Sequence, residues 1–520
     1  MPTPLIDTDT LVAVIGAGSM GAGIAQLAAQ SGHLVRLHDA QSGAAAAARL
    51  RIGADLDGAV ARGKLEPAER DAVLARITVA DSIDALAGCG LVVEAIVERL
   101  DVKQAVFRQL EAVLGADAVL ATNTSSISIT AVAQGLAHPG RVIGWHFFNP
   151  PTRMKLVEVI AGVETDAALV PQMHALSKAW GKTSVDAPNA PGFIVNRVAR
   201  PYYAEGLRLL AERIAPAPAI DRLMREAGGF ALGPFELMDL IGLDVNLAVT
   251  ESVFQATGFD PRYAPHLIQQ EMVRSGRFGR KSGRGFYDHR PGAALVEVAC
   301  VPATAQRSEL RCGPNGGLLQ PLIDRLRGAG VQITPHDDLP GETLALGDTL
   351  IALTDGRTAA AVSASVGSAP VVLLDLARDF ATATHLGAAA SADSSADPSA
   401  HPGGPAQASL GALAAVLAPA RIQLIALADV AGLVLMRTVC CLANEAADVM
   451  TWTGTRARDI DTAMRLGTAY PLGPLAWADV LGAARVAQVL ANLQAHYGEV
   501  RYRRAPALSA LQHTGGTFHG

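Results

Sequence analysis

Two residues able to act as an acid–base pair, His146 and Glu158, stand close together in "GWHFFNPPTRMKLVEVI" (144–160). Each lies in a short apolar run, and a proline-containing turn joins the runs. A buried imidazole and a buried carboxylate are costly alone and tolerable as a hydrogen-bonded pair. The same pair can be a general base with its orienting partner. The residues alone leave both readings open.

A second group of residues points to a ligand. "GAGSMG" supplies Gly16, Gly18 and Gly21 between an apolar run and a helical pattern. The first glycine permits a tight turn, the second lets backbone approach a pyrophosphate, and the third allows close helix–strand packing. Ser19 and Met20 open the helix, whose free N–H groups favour a diphosphate. Asp39 closes the next apolar run. A carboxylate there accepts hydrogen bonds from both ribose hydroxyls and repels a 2′-phosphate. No arginine follows it, only Ala40 and Gln41. The cofactor expected is NAD, not NADP.

The elements that must position these residues alternate. "LVAVIG", "HLVRLHDA", "LVVEAI", "AVLATNT" and "RVIGWHF" read as strands between helical stretches such as 101–114. This is the pattern of a parallel, doubly wound α/β Rossmann domain, expected over 8–190. From Pro191 to about 290 the pattern becomes long amphipathic helices, an all-α domain ending in "GRFGRKSGRGFYDH". A small α/β stretch follows over 291–425, with "TLIALTDG" and "PVVLLDLARD" as strands and a low-complexity linker at 388–409.

An internal repeat organises the rest. "PGFIVNR" (191–197) has a counterpart in "AGLVLMR" (431–437), and 220–242 matches 460–482 at the same spacing without a gap. Arg197/Arg437, Asp221/Asp461, Asp239/Asp479 and Gly242/Gly482 coincide. A second all-α copy is therefore expected over 426–512. At the position of Asn196 it carries Met436.

The bulk numbers exclude other classes. A net charge of −6 gives no field for nucleic acid or anionic membrane. Five cysteines, odd in number and without CxxC spacing, argue against a disulfide framework and a metal site. With no basic N-terminal region and no long apolar run, a soluble cytoplasmic protein is expected.

The segments "VIGAGSMGAGIA", "LVVEAIVERLDVKQAVF", "NTSSISIT" with "HFFNPPTRMKLVEVI", and "PGFIVNR" together resemble the L-3-hydroxyacyl-CoA dehydrogenases over residues 11 to about 290. The second helical copy is similar to the long bacterial form, which acts on 3-hydroxyadipyl-CoA or 3-hydroxybutyryl-CoA and carries a reduced Rossmann-like domain between its copies. The resemblance implies His146 as base, Glu158 as its partner, and Ser125 and Asn196 as donors to the substrate oxygen. It places Glu98, Lys103, Asn123, Ser125 and Asn149 around the nicotinamide end of the cofactor. Gly90 and Leu56 depart from the family pattern, so the CoA contacts stay open. The implied partner is an acyl-CoA, with a possible homo-oligomer and an internal pseudo-dimer of the two helical copies.

The pair then has a chemistry. Oxidising a secondary alcohol takes a proton from oxygen while hydride leaves carbon, and a neutral histidine suits the first task. Arg153, in the turn between base and partner, can pair with a carboxylate at the far end of a dicarboxylyl chain, as in phenylacetate-type catabolism; the alternatives are that it points to solvent or to a CoA phosphate. Two other readings, a Rossmann dehydrogenase with a lysine base and a non-enzymatic crystallin-like NAD-binding protein, are disfavoured by the intact Ser125/His146/Glu158/Asn196 set. His138 and His174 are expected at the surface, and Cys440–Cys441 in a buried helix.

Overall fold

The computed structural model describes residues 6–294, 296–304, 309–391 and 404–520. They divide into two compact units: residues 1–197 with 458–468, and residues 198–457 with 469–520.

In the first unit the chain runs β1 (Val12–Ile15), α1 (Ser19–Gln30), β2 (Val35–His38), α2 (Ala44–Ala61), α3 (Pro67–Ala75), β3 (Ile77–Val79), β4 (Leu91–Glu94), α4 (Leu100–Val113), β5 (Val119–Thr122), α5 (Ile129–Ala133), β6 (Val142–Phe147), β7 (Leu156–Ala161), α6 (Leu169–Ala179) and β8 (Thr183–Ala187). The eight strands form one sheet in the order β3-β2-β1-β4-β5-β6-β7-β8. Every neighbouring pair is parallel except β6–β7. Strands such as β1, β4 and β5 are buried along their whole length, as expected for parallel strands covered on both faces. Residues of α1 and α2 pack one face, and Trp145, Phe147 and Trp180 fill the far end of the same core. His174 is not at the open surface as expected. It is half-buried, with its two ring nitrogens 2.7 Å from Ser184 Oγ and Asp186 Oδ1.

The second unit opens with helices: α7 (Val195–Val198, begun in the first unit), α8 (Arg200–Ala211), α9 (Ala217–Glu226), α10 (Pro234–Ile241), α11 (Leu243–Ala256) and α12 (Leu267–Arg274). A second sheet follows, built from β9 (Leu310–Cys312), α13 (Gln320–Gly328), β10 (Ile333–Pro335), β11 (Thr343–Leu346), β12 (Thr349–Leu353), α14 (Ala359–Ser365), β13 (Val371–Leu374), β14 (His385–Ala390), α15 (Pro405–Leu417) and β15 (Gln423–Ala426). Its order is β10-β9-β11-β12-β13-β14-β15. The expected linker at 388–409 is shorter than its composition implies. Ala388 and Ala389 are buried in β14 and α15 begins at Pro405, while 392–403 lie outside the described residues.

The repeat completes the chain as α16 (Leu435–Thr453), α17 (Ala457–Gly467), α18 (Pro474–Leu481), α19 (Ala483–Tyr497) and α20 (Pro506–Thr514). Arg437 is fully buried, yet its guanidinium is saturated by Glu205, Glu212, Tyr497 and Tyr502. Breaking such a buried pair leaves an uncompensated charge costing about 3–5 kcal/mol, so Arg437 fastens one helical copy to the other. The glycine-rich tail of the first copy is a clasp: Asp239 accepts the N–H groups of Phe286 and Tyr287. Asp479 repeats it by accepting the N–H groups of Phe518 and His519, so the second copy reaches beyond residue 512.

Candidate active site

Strands β6 and β7 pair antiparallel with His146 directly opposite Glu158. Directly opposed residues leave a sheet on the same face. The imidazole Nδ1 lies 2.7 Å from Glu158 Oε2, with His146 6% and Glu158 0% exposed. A carboxylate on Nδ1 leaves Nε2 as the basic nitrogen. Phe148 and Phe193 flank the ring, with centroids 4.6 and 5.7 Å away. Glu158 Oε1 accepts the N–H groups of Ile194 and Val195, both at 3.0 Å. The carboxylate therefore joins the base to the segment bearing Asn196.

The other predicted residues meet nearby. Asn196 Nδ2 donates to the Ser125 carbonyl at 3.4 Å, and Ser125 Oγ donates to Glu98 Oε1 at 3.1 Å. Burial works against the charge of Glu98, but the Lys103 ammonium and donors from Thr124 and Ser125 hold its carboxyl below the ordinary range. Lys103 is enclosed: its Nζ is 2.7 Å from Glu94 and 3.2 Å from Glu98, and the residue is 1% exposed. It reaches the site through Glu98 and not by direct contact. Asn123 Oδ1 accepts the Phe147 N–H at 2.8 Å and so fixes the end of β6. Asn149 is exposed and precedes a cis Pro150. Lys182, buried, donates to the carbonyls of Pro151 and Met154 and holds the turn between base and partner. Neither Glu94 nor Lys182 was anticipated. A glutamate inside the apolar "LVVEAI" was the one available signal.

The glycine loop fits a dinucleotide. Gly16 has φ +96°, and a Cβ there would lie 2.4 Å from the Ala95 carbonyl oxygen. At Gly21 a Cβ would meet the Gly16 oxygen at 1.8 Å, whereas one at Gly18 would meet nothing within 4 Å. Two glycines serve the turn itself, and the third leaves open space at the start of α1, beside Ser19 and Met20. Asp39 is held at that loop, accepting the N–H groups of Ala17 at 2.6 Å and Gln41 at 2.9 Å.

Arg153 is exposed and lines a groove of about 330 Å³ with Ser19, Gln26, Arg51, Asp55 and Thr152. None of His146, Glu158, Ser125 and Asn196 lines it. Leu56, one of the two departures from the family pattern, is buried in α2.

The second sheet repeats the end of the first. The pairs β12–β13, β13–β14 and β14–β15 are parallel, antiparallel and parallel, as are β5–β6, β6–β7 and β7–β8. Ser126 N–H points to Thr124 Oγ1 as Gly356 N–H does to Thr354 Oγ1. The Ile129 and Ala359 N–H groups bond Asn189 and Asp429. Carried along these registers, Asp375 stands where the first half has His146, and Gly387 where it has Glu158. Asp375 accepts the N–H groups of Val434, Leu435 and Met436 at 2.8–3.0 Å, the counterparts of those on Glu158. Asp355 falls at Ser125 and Met436 at Asn196. The second half keeps the fold but has neither the histidine, nor its partner carboxylate, nor the serine and asparagine of the first, and the carboxylate of Asp375 is taken up by backbone N–H groups.

Comparisons with known proteins agree with this architecture. The profile for the 3-hydroxyacyl-CoA dehydrogenase NAD binding domain matches residues 11–190, and that for its C-terminal domain matches 192–289 and 432–517. The 3-hydroxybutyryl-CoA dehydrogenase reduced Rossmann-fold domain matches 351–430. A 3-hydroxyadipyl-CoA dehydrogenase of Escherichia coli is 42% identical over 95% of both chains. A crystal structure titled 3-hydroxybutyryl-CoA dehydrogenase, also from Escherichia coli, superposes with a TM-score of 0.86 at 40% identity, covering 98% of this chain and 99% of that one. A 3-hydroxybutyryl-CoA dehydrogenase of Clostridioides difficile is 39% identical, with 99% of its length covered by 54% of this chain. Three domain profiles in the expected order, and a relative matched nearly end to end, make this chain a member of the NAD-dependent 3-hydroxyacyl-CoA dehydrogenase family.

Proposed function

We propose that the chain oxidises the 3-hydroxyl of an (S)-3-hydroxyacyl-CoA with His146 as the base, and that the preferred acyl chain is dicarboxylyl, as in 3-hydroxyadipyl-CoA. The observation carrying the reaction is the cross-strand pair His146–Glu158 at 2.7 Å. His146 Nε2 takes the hydroxyl proton, while Glu158 fixes the tautomer and stabilises the imidazolium as it forms. Ser125 and Asn196 donate to the oxygen as it becomes a carbonyl. NAD, when bound, accepts the hydride. The glycine loop and Asp39 would hold its diphosphate and ribose, and Glu98, Ser125, Asn123 and Asn149 would serve its nicotinamide end.

The acyl assignment rests on the relative named for 3-hydroxyadipyl-CoA, matched over 95% of both chains. A 3-hydroxybutyryl-CoA specificity is the second reading, since the superposed crystal structure bears that name. Arg153 is a substrate contact in either case. Its place in a groove beside Arg51, with none of the catalytic side chains in the lining, suits a CoA phosphate better than a terminal carboxylate. Comparing 3-hydroxyadipyl-CoA with 3-hydroxyhexanoyl-CoA, in wild type and in Arg153→Val, tests both points. A wild-type preference of about tenfold for the dicarboxylyl substrate, about 1.4 kcal/mol, is expected from the likeness to the 3-hydroxyadipyl-CoA dehydrogenase. Arg153→Val should raise KM for both substrates alike. Loss of the preference in the variant would move Arg153 to the carboxylate, and an indifferent wild type would end the dicarboxylyl reading.

A further inference from the structure

The second half has no histidine at the base position, no partner carboxylate and no asparagine, yet one piece of its helical copy belongs to the NAD-binding unit. Residues 458–468, nearly all of α17 and the residue after it, cluster with residues 1–197, whereas the rest of the copy clusters with the second unit. Gly467 shows the contact. A Cβ there would lie 2.8 Å from Leu156 Cδ2 and 3.0 Å from Val195 Cγ2. Leu156 begins β7, two residues before Glu158, and the Val195 N–H is one of the two donors on Glu158 Oε1. The end of the helix therefore touches two residues that flank the carboxylate orienting the base.

The second unit holds the reciprocal arrangement. There α9, the counterpart of α17, packs on β14, and Leu223 Cδ1 would be 3.0 Å from a Cβ on Gly387. Gly387 is the counterpart of Glu158, and the repeat makes Ala463 the counterpart of Leu223. A bulky helix residue thus meets the strand that carries glycine. The exchanged helix carries a fully buried alanine in the half whose strand carries Glu158. Each helix is fitted to the sheet of the other half, and the fit differs at the one strand position where one half has a catalytic group.

We infer that residues 458–468 are retained from the catalytically emptied copy as the back wall of the active site, with Ala463 and Gly467 as positioning residues for Glu158 and the Asn196 segment. The inference rests on the His146–Glu158 reading. By the repeat, Ala463 faces β7 as Leu223 faces β14, so a leucine at 463 would crowd the strand position that holds Glu158, and a Cβ at 467 would press on the side chains of Leu156 and Val195. In an interior packed at crystal density such a displacement passes directly to the neighbours.

The test is Ala463→Leu in the full chain, with Ala463→Val and Gly467→Ala as smaller steps should the leucine variant not fold. Gly467 ends α17 without a positive φ, so an alanine there is compatible with the backbone. At least a tenfold fall in kcat is expected for Ala463→Leu, graded through the smaller variants. NADH affinity by fluorescence should stay as in wild type, and the acid limb of the kcat/KM pH profile should move, because the imidazole loses its partner's geometry. Leu223→Ala, in the reciprocal contact, should lower Tm and leave kcat within about twofold. Folded variants with wild-type kcat and an unmoved pH profile would reduce α17 to a structural helix. Near-normal turnover in His146→Gln would instead overturn the base assignment on which the inference stands.

Discussion

His146 and Glu158 are directly opposed partners of one antiparallel strand pair, and Glu158 uses its second oxygen to hold the backbone of Ile194 and Val195. One carboxylate thus sets both the tautomer of the base and the position of the segment bearing Asn196. His146→Gln should lower kcat by about 10²- to 10⁴-fold and leave NADH affinity unchanged. Glu158→Gln keeps the shape but removes the charge that stabilises the imidazolium, so a loss of similar size is expected. Stopped-flow hydride transfer with acetoacetyl-CoA and NADH measures both. Near-wild-type rates would return the pair to a structural role.

Cofactor choice turns on Asp39, whose carboxylate is already fixed at the glycine loop by Ala17 N–H and Gln41 N–H. A 2′-phosphate would bring negative charge against it with no adjacent arginine in compensation. Steady-state kcat/KM should favour NADH over NADPH by at least tenfold, about 1.4 kcal/mol. Equal efficiency would remove Asp39 from the ribose site.

One catalytic site per chain is expected, because Asp375, Gly387, Asp355 and Met436 stand where the first half has His146, Glu158, Ser125 and Asn196. Calorimetric titration of the NAD-loaded enzyme with acetoacetyl-CoA, a pair that cannot exchange hydride, should saturate at one equivalent. Two equivalents would show a working second site and undo the pseudo-dimer reading.

Asp375 also gives a pH signature. Burial, opposed by its backbone N–H donors, raises its carboxyl from the usual value to about 6. A raised folded-state value means that the native state holds the proton more tightly than the unfolded chain. The associated stability is complete below the unfolded value near 4 and is lost as pH rises through about 6. Asp375→Asn cannot titrate, so the Tm difference between variant and wild type should shift in the variant's favour from pH 4 to pH 7. The shift corresponds to on the order of 3 kcal/mol at most. A difference independent of pH would mean that Asp375 is ionised throughout.

Much of this was legible in the sequence because it is local. The glycines of "GAGSMG" mark a turn that needs them by backbone geometry, and the strand–helix alternation is written in short apolar runs. The repeat survives in helices whose spacing never slips between 191–242 and 431–482. Even the residue types of the base and its partner stand out against apolar neighbours. What the sequence could not carry is register and partnership across long separations. Short apolar strands look alike in any register, so only hydrogen-bonded pairing shows His146 opposite Glu158 and puts Asp375 and Gly387 in their places. Lys103 reads as a free cation on α4, and tertiary packing alone seals it between Glu94 and Glu98. The residence of 458–468 with residues 1–197 has no local signature, because α17 has the same amphipathic pattern whichever sheet receives it.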